Sequence, residues 1–217
     1  MKRIFILGIT GDIGFKVGKK LAAEGHWVSG LYRKDEDAKK LNTAGITPVK
    51  GDLTKLGVED LEKLLSNIDV VIFTAGANSP DPTLSDKIDF QGVVISADAA
   101  EKQYVGRYIL VSAFPEAGRA RPRSESFERY IANKKKADAY LTSKKIDWVI
   151  ARPGKLLKEE PTGKVKIAPA LPYGDITRDD FASVIYQLVF SDIKPRSILE
   201  VLNGDTPVAQ AISEYSY

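Results

Sequence analysis

The sequence predicts an α/β fold in which a single domain is built on a doubly wound parallel sheet. Two observations predict it. Short apolar runs alternate with segments of helical period five times over, and the first run passes into the first helix through three regularly spaced glycines. Right-handed crossovers then place a ligand crevice at the carboxyl ends of the strands. A chain of 217 residues is long enough to bury a proper core as one domain, residues 1–217, without room for a large second lobe.

Arg3 to Leu7 is a short apolar run bounded by glycine, the pattern of a strand buried on both faces. From Phe15 the period becomes helical, with Val17, Leu21 and Ala22 on one side as far as Glu24. Gly8, Gly11 and Gly14 lie between them. Gly8 permits the sharp turn, Gly11 lets an anionic group approach the backbone, and Gly14 lets the helix start lie against the strand. Free N–H groups and the positive dipole end of the helix favour a pyrophosphate there. The alternative is a glycine-rich structural turn. Strand, loop, helix and a second strand, Trp27 to Tyr32, all fall within about thirty residues, so a Rossmann-type dinucleotide site is the stronger reading.

The second strand ends in Arg33, where NAD-specific folds carry an acidic residue for the adenosine ribose. An arginine there can instead pair with a 2′-phosphate, or it is a solvated loop residue. A polar helix, Asp35 to Asn42, leads to a third strand, Thr47 to Lys50, and then to Gly51, Asp52 and Leu53. Asp52 either hydrogen-bonds the adenine amino group or caps the next segment. A helix from Val58 to Leu65 precedes the fourth strand, Val70 to Phe73. The small residues Ala75, Gly76 and Ala77 beyond it leave space for a ribose.

Asn78 to Ser85, with Pro80 and Pro82, is a breaker-rich loop, and Asp86 to Gln103 is one long helix. The fifth strand, Tyr108 to Val111, ends at Ser112. Ala113 to Ser126, with Arg119, Arg121 and Arg123, is a solvated loop beside the crevice and a candidate lid. In the helix Phe127 to Ser143, Tyr130 and Lys134 stand one turn apart on one face. A sixth strand, Trp148 to Ala151, ends in Arg152-Pro153-Gly154. Then come a short strand, Lys164 to Ala168, an N-cap signature at Thr177 to Asp180, a helix from Phe181 to Phe190 and a last strand, Ser197 to Leu202. The tail beyond Pro207 reads as polar and frayed.

Composition narrows the function further. The chain has no cysteine and only one histidine, His26, so no metal site is expected. The N-terminal apolar run stops at Gly8 without a cleavage site, and no run is long enough to span a bilayer, so a cytoplasmic protein without a membrane partner is expected. A net charge of +3 is too small to argue for nucleic acid. A small-molecule substrate is the expected partner, and nothing in the sequence fixes the oligomeric state.

Taken together, Gly8-Ile9-Thr10-Gly11-Asp12-Ile13-Gly14, Gly51-Asp52-Leu53, Thr74-Ala75-Gly76, Leu110 to Phe114, Tyr130 with Lys134, Ala151 to Gly154 and Ile176 to Asp180 resemble an atypical member of the short-chain dehydrogenase/reductase superfamily. The similarity is to its NAD(P)H-binding branch, which includes NmrA-like and flavin-reductase-like proteins. The resemblance implies that Gly8, Thr10, Gly11, Asp12, Ile13 and Gly14 hold the pyrophosphate, Arg33 the 2′-phosphate, and Asp52 with Leu53 the adenine. It implies Ala75, Gly76 and Ala77 beside the ribose, Lys134 on the nicotinamide ribose, and Pro153 with Gly154 near the nicotinamide. The cofactor implied is NADP(H) in preference to NAD(H).

In active reductases of the superfamily a serine, a tyrosine and a lysine act together; the candidates here are Tyr130, Lys134 and, one place before the usual serine, Ser112. Where a pair of serines is usual, this chain has Ser112-Ala113, with the alanine in the catalytic place. Val-Ser-Ala-Phe resembles the flavin reductases, whose serine lines the hydride pocket. The expected function is an NADPH-dependent oxidoreductase that passes hydride to a quinone, flavin or carbonyl. The alternative is a non-catalytic NADP(H)-binding sensor of NmrA-like type. Substrate specificity must come from segments 78 to 85, 113 to 127 and 155 to 175, the last a small substrate-side insertion.

Overall fold

Short runs of two to seven residues, apolar through the middle of the sheet, build the structure's core. The computed structural model describes residues 1–216 apart from 78, 80, 118, 120 and 121. In chain order its strands are β1 (Arg3–Leu7), β2 (Trp27–Tyr32), β3 (Thr47–Lys50), β4 (Val70–Phe73), β5 (Arg107–Val111), β6 (Trp148–Pro153), β7 (Lys155–Leu157), β8 (Lys164–Ala168), β9 (Asp175–Thr177), β10 (Ser197–Asn203) and β11 (Thr206–Pro207). The main sheet has the order β11-β8-β10-β6-β5-β4-β1-β2-β3. From β3 to β10 every neighbouring pair is parallel, and β8 adds antiparallel to β10. A separate parallel pair joins β7 to β9.

The helices are α1 (Asp12–Ala23), α2 (Asp35–Thr43), α3 (Val58–Leu64), α4 (Pro82–Ser85), α5 (Gly92–Lys102), α6 (Glu125–Thr142), α7 (Arg178–Leu188) and α8 (Val208–Tyr215), with a π-helical stretch, Asp86–Gln91, between α4 and α5. Side chains alternate across β1. Ile4 and Ile6 join Leu21, Leu41, Phe181 and Ile212 on one face, while Phe5 and Leu7 join Leu61, Ala97 and Leu141 on the other. Both faces are covered, so the sheet is doubly wound, as the uninterrupted apolar strands require. None of the described helices is long and apolar enough to cross a membrane.

The strand order reverses between β1 and β4, and this reversal opens the crevice. Leu7 pairs with Phe73, and Thr74 N donates to Leu7 O at 2.8 Å, so the chain leaves both strands side by side.

Several sequence expectations change. The first helix begins at Asp12 rather than Phe15, because Gly11 caps it in extended conformation and Gly14 fits inside its first turn. The segment expected as a loop up to Ser85 already turns helical at Pro82, a residue whose fixed φ suits a first helical turn, and the long helix after it is interrupted by the π-helical stretch. The tail is not frayed: Val208, Ala211 and Ile212 are buried on one side of α8. The stretch after Ser112 is a loop with exposed residues such as Glu116, Arg119 and Pro122, but it is only partly solvated. Phe114 and Ala117 are 2% and 5% exposed and pack on Ile131 and Leu202, while Arg121, part of the candidate lid, lies outside the described residues. His26 is half-buried, its Nδ1 accepting from Lys2 N at 3.1 Å.

Candidate functional site

The turn after β1 is tight because Gly8 sits at φ +93°, where a Cβ would lie 2.5 Å from Ala75 N and 2.7 Å from Thr74 Oγ1. At Gly14 a Cβ would overlap the Gly8 carbonyl and stand 2.7 Å from Thr74 Oγ1, so helix and strands meet backbone to backbone. Gly11 differs. Its φ is −77°, and an added Cβ would meet only Gly8 O, at 3.2 Å. No side chain caps the start of α1, so its first-turn amides lack both intrahelical and side-chain acceptors.

Over this turn lies a cleft of about 560 Å³ that gathers Gly8, Thr10, Gly11, Asp12, Ile13, Gly14, Arg33, Asp52, Leu53, Ala75, Gly76 and Ala77. Arg33 is exposed at the end of β2 and has no ion-pair partner among the described residues. Asp52 caps the following turn: Oδ1 accepts from Thr54 N at 3.0 Å and Thr54 Oγ1 at 2.8 Å, which leaves Oδ2 free. Burial pushes the Asp52 carboxyl up, but the Thr54 amide and hydroxyl, with Arg33 and Lys55 nearby, outweigh it and hold the pKa below the ordinary value.

A second cavity of about 290 Å³ adjoins the first and shares Ile13, Thr74, Ala75, Gly76 and Leu156 with it. Ser112, Tyr130, Lys134, Pro153 and Gly154 line it, and Phe114, Phe127, Ile131 and Tyr173 make its apolar walls. Phe114 packs edge-on against Tyr173, with ring centroids 5.5 Å apart. Ala113 lines the cavity beside Ser112, so the position of the second serine carries no hydroxyl.

Lys134 is only 4% exposed, and its Nζ donates to Val111 O at 3.2 Å and lies 3.4 Å from Asp89 Oδ1. Burial opposes its charge, but Tyr130, Asp89 and Asp138 together outweigh burial and raise the lysine above its ordinary pKa. The ammonium stands 5.8 Å from the Tyr130 ring centroid. Lys134 favours the Tyr130 phenolate, yet burial, reinforced by Asp89 and Asp138, prevails and raises the phenol above its ordinary value. No protein group among those described hydrogen-bonds the Tyr130 hydroxyl. Tyr130 is therefore a group that keeps its proton at neutral pH and can donate it, not one that holds a phenolate.

Three charged residues with a part in this site escape sequence reading. Asp89, fully buried on the π-helical stretch, pairs with Lys134 and accepts from Ala77 N at 3.4 Å. Its signal is an acid placed between Ile88 and Phe90. Asp138 is the next residue along the Tyr130–Lys134 face, four positions on, and accepts from Arg152 Nε and Nη2 at 3.0 and 2.9 Å. Burial raises its carboxyl above the ordinary value against the pull of Ser112, Arg152 and Lys134. The Ser112 hydroxyl, buried beside it, makes no hydrogen bond of good geometry. Arg178 also lines the larger cleft.

A family profile described as NAD(P)H-binding matches residues 8–192. The chain belongs to the NAD(P)H-binding family. Its fold and family are those of an atypical short-chain dehydrogenase/reductase. Over 216 residues the chain is 29% identical to YhfK of Bacillus subtilis (strain 168), named as an uncharacterized sugar epimerase, with 98% of this chain and 99% of the relative covered. A solved structure from Bacillus halodurans, provisionally assigned as an NAD-dependent epimerase/dehydratase, is 30% identical with a TM-score of 0.88 and coverage of 99% and 100%. The oxidoreductase ylbE of Lactococcus lactis is 29% identical with a TM-score of 0.85 and coverage of 98% and 95%.

Proposed function

We propose that this member of the NAD(P)H-binding family is an NADPH-dependent reductase whose acceptor is a small planar ring system, a quinone or a flavin. The observation that carries the reading is the junction of the two cavities. A cleft of about 560 Å³ with a glycine floor and an uncapped helix start opens, past Thr74, Ala75 and Gly76, into an aromatic-walled cavity of about 290 Å³. The first fits a dinucleotide by its donor set: Gly8 to Gly14 under the diphosphate, Arg33 at the 2′-phosphate, Asp52 Oδ2 and Leu53 at the adenine, and Ala75 to Ala77 along the ribose. Arg33, exposed and unpaired, supports NADP(H) over NAD(H), since no acid occupies that place.

A bound reduced nicotinamide supplies a hydride at the second cavity. The chain's own residues do the rest. Lys134, fixed by Asp89 and Val111 O, offers its remaining donor capacity to a ribose hydroxyl, and Pro153 with Gly154 sets the depth of the ring. Phe114, Phe127 and Tyr173 exclude water and stack on a planar acceptor. Tyr130 can hand a proton to the acceptor, although a quinone or flavin can equally take it from solvent. Ala113 leaves the site without the second hydroxyl that would polarise a carbonyl, which favours quinone or flavin, where hydride transfer dominates, over aldehydes and ketones.

Ala113 also motivates the rival reading, a protein that binds NADP(H) without turning it over. Oxidation of NADPH against a panel of quinones, flavins and aldehydes separates the two. Turnover with a quinone or flavin supports the reductase, while tight binding with no turnover on any acceptor supports the binder.

A further inference from the structure

Arg178 belongs to the Ile176 to Asp180 motif, to which the sequence gives no role beyond helix capping. Thr177 Oγ1 accepts from Asp180 N at 3.1 Å, so Arg178 opens α7 at a fixed place directly after β9. From there it crosses to the glycine loop, where Nη1 donates to Asp12 Oδ2 at 3.1 Å. Its Nε is buried without a hydrogen-bond partner, and no described residue accepts from Nη2. An arginine that lines the cleft with two unmet donor groups, beside an uncapped helix start, is arranged for an anion.

The charges around it explain why an acid is tolerated there. A carboxylate at Asp12, in the first turn of α1, would repel a diphosphate set on that helix. Arg178 and Lys16, the latter 3.7 Å from Asp12, compensate it, and Lys16 also donates to Asp179 at 2.7 Å. The Lys16–Asp179 bond ties the first turn of α7 to α1 and so fixes where Arg178 can reach. We propose that Arg178 is a diphosphate-binding residue, contributed from the C-terminal third of the chain and shared between Asp12 and the nucleotide when one is bound. The proposal rests on the nucleotide reading of the cleft.

Calorimetric titration of Arg178→Gln with NADPH, NADH and adenosine 2′-monophosphate tests it. The two dinucleotides should lose about tenfold to a hundredfold in affinity, and the monophosphate, which has no diphosphate, should bind as it does to the parent. Arg33→Ala should give the complementary pattern, weaker NADPH and monophosphate with NADH unchanged. Asp12→Asn, which removes the competing carboxylate, should bind both dinucleotides at least as tightly as the parent, and it decides the matter if Arg178→Gln does not fold. Undiminished binding of both dinucleotides to Arg178→Gln, or their weakening in Asp12→Asn, overturns the role of Arg178 and leaves the nucleotide reading intact. A parent protein that binds none of the three ligands overturns both.

Discussion

Replacing Asp89 by alanine removes the partner of a charge that cannot reach water. Lys134 is 4% exposed and Asp89 is fully buried, so the variant would leave an ammonium with only the Val111 carbonyl in hydrogen-bond contact. Removing one member of a buried ion pair costs about 3–5 kcal/mol, and for a domain of this size each kcal/mol lowers Tm by about 2–4 °C. The expected fall in Tm is therefore roughly 6–20 °C, read by calorimetry or circular dichroism. The double variant Asp89→Leu with Lys134→Met should recover most of it, since an apolar pair of similar volume needs no desolvation of charge. Alkaline titration gives an independent sign. Lys134 has a folded pKa above its ordinary 10.5, so the stability it contributes is fully present below pH 10.5 and is lost as pH rises through the higher folded value. Asp89→Ala removes a group that raises that pKa and should weaken the alkaline loss. A Tm within 2 °C of the parent, by the same conversion less than about 1 kcal/mol, would refute the claim that a charged Lys134 depends on Asp89.

Gly11→Val should abolish nucleotide binding with little loss of fold, because Gly11 lines the cleft, φ is already −77° there and an added Cβ meets only Gly8 O, at 3.2 Å; a capping cost of up to about 1 kcal/mol is expected, and parent-like affinity by calorimetry would contradict it. Tyr130→Phe should leave quinone or flavin reduction nearly intact; a kcat loss of about 10²–10⁴ would instead mark an acid needed for carbonyl chemistry. Asp86 pairs with Arg129 and accepts from Asn133 at 2.8 Å, which lowers its pKa from 3.8 to about 2. Its contribution is present above pH 3.8 and lost as pH falls toward 2, so Asp86→Asn should flatten that part of an acid-unfolding curve.

The first half of the fold is legible because strand ends carry their own punctuation. β2, β3 and β4 stop at Arg33, Gly51 and Thr74, where an apolar run meets a turn. Gly8, Gly11 and Gly14 are readable for the same reason, since their spacing only makes sense between a strand and a helix. Pro82 carries the opposite lesson: a proline that reads as a breaker can also open a helix. The arginines at 119, 121 and 123 make their segment look solvated and conceal Phe114 and Ala117, which are buried against α6 and β10. α8 has a helical spacing in Val208, Ala211 and Ile212, masked by its polar neighbours. The Asp89–Lys134 and Asp12–Arg178 pairs join residues 45 and 166 positions apart. No local pattern encodes such contacts, because the sheet topology alone brings them together.

The most direct test of the joined cavities is steady-state oxidation of NADPH with free flavin or a quinone as acceptor, run in parallel on the parent protein and on Gly11→Val. If nucleotide in the glycine cleft feeds an acceptor beside Tyr130 and Phe114, the parent turns over and the variant, with the cleft filled, does not. No turnover by the parent on any acceptor, or equal turnover by both proteins, would contradict the account.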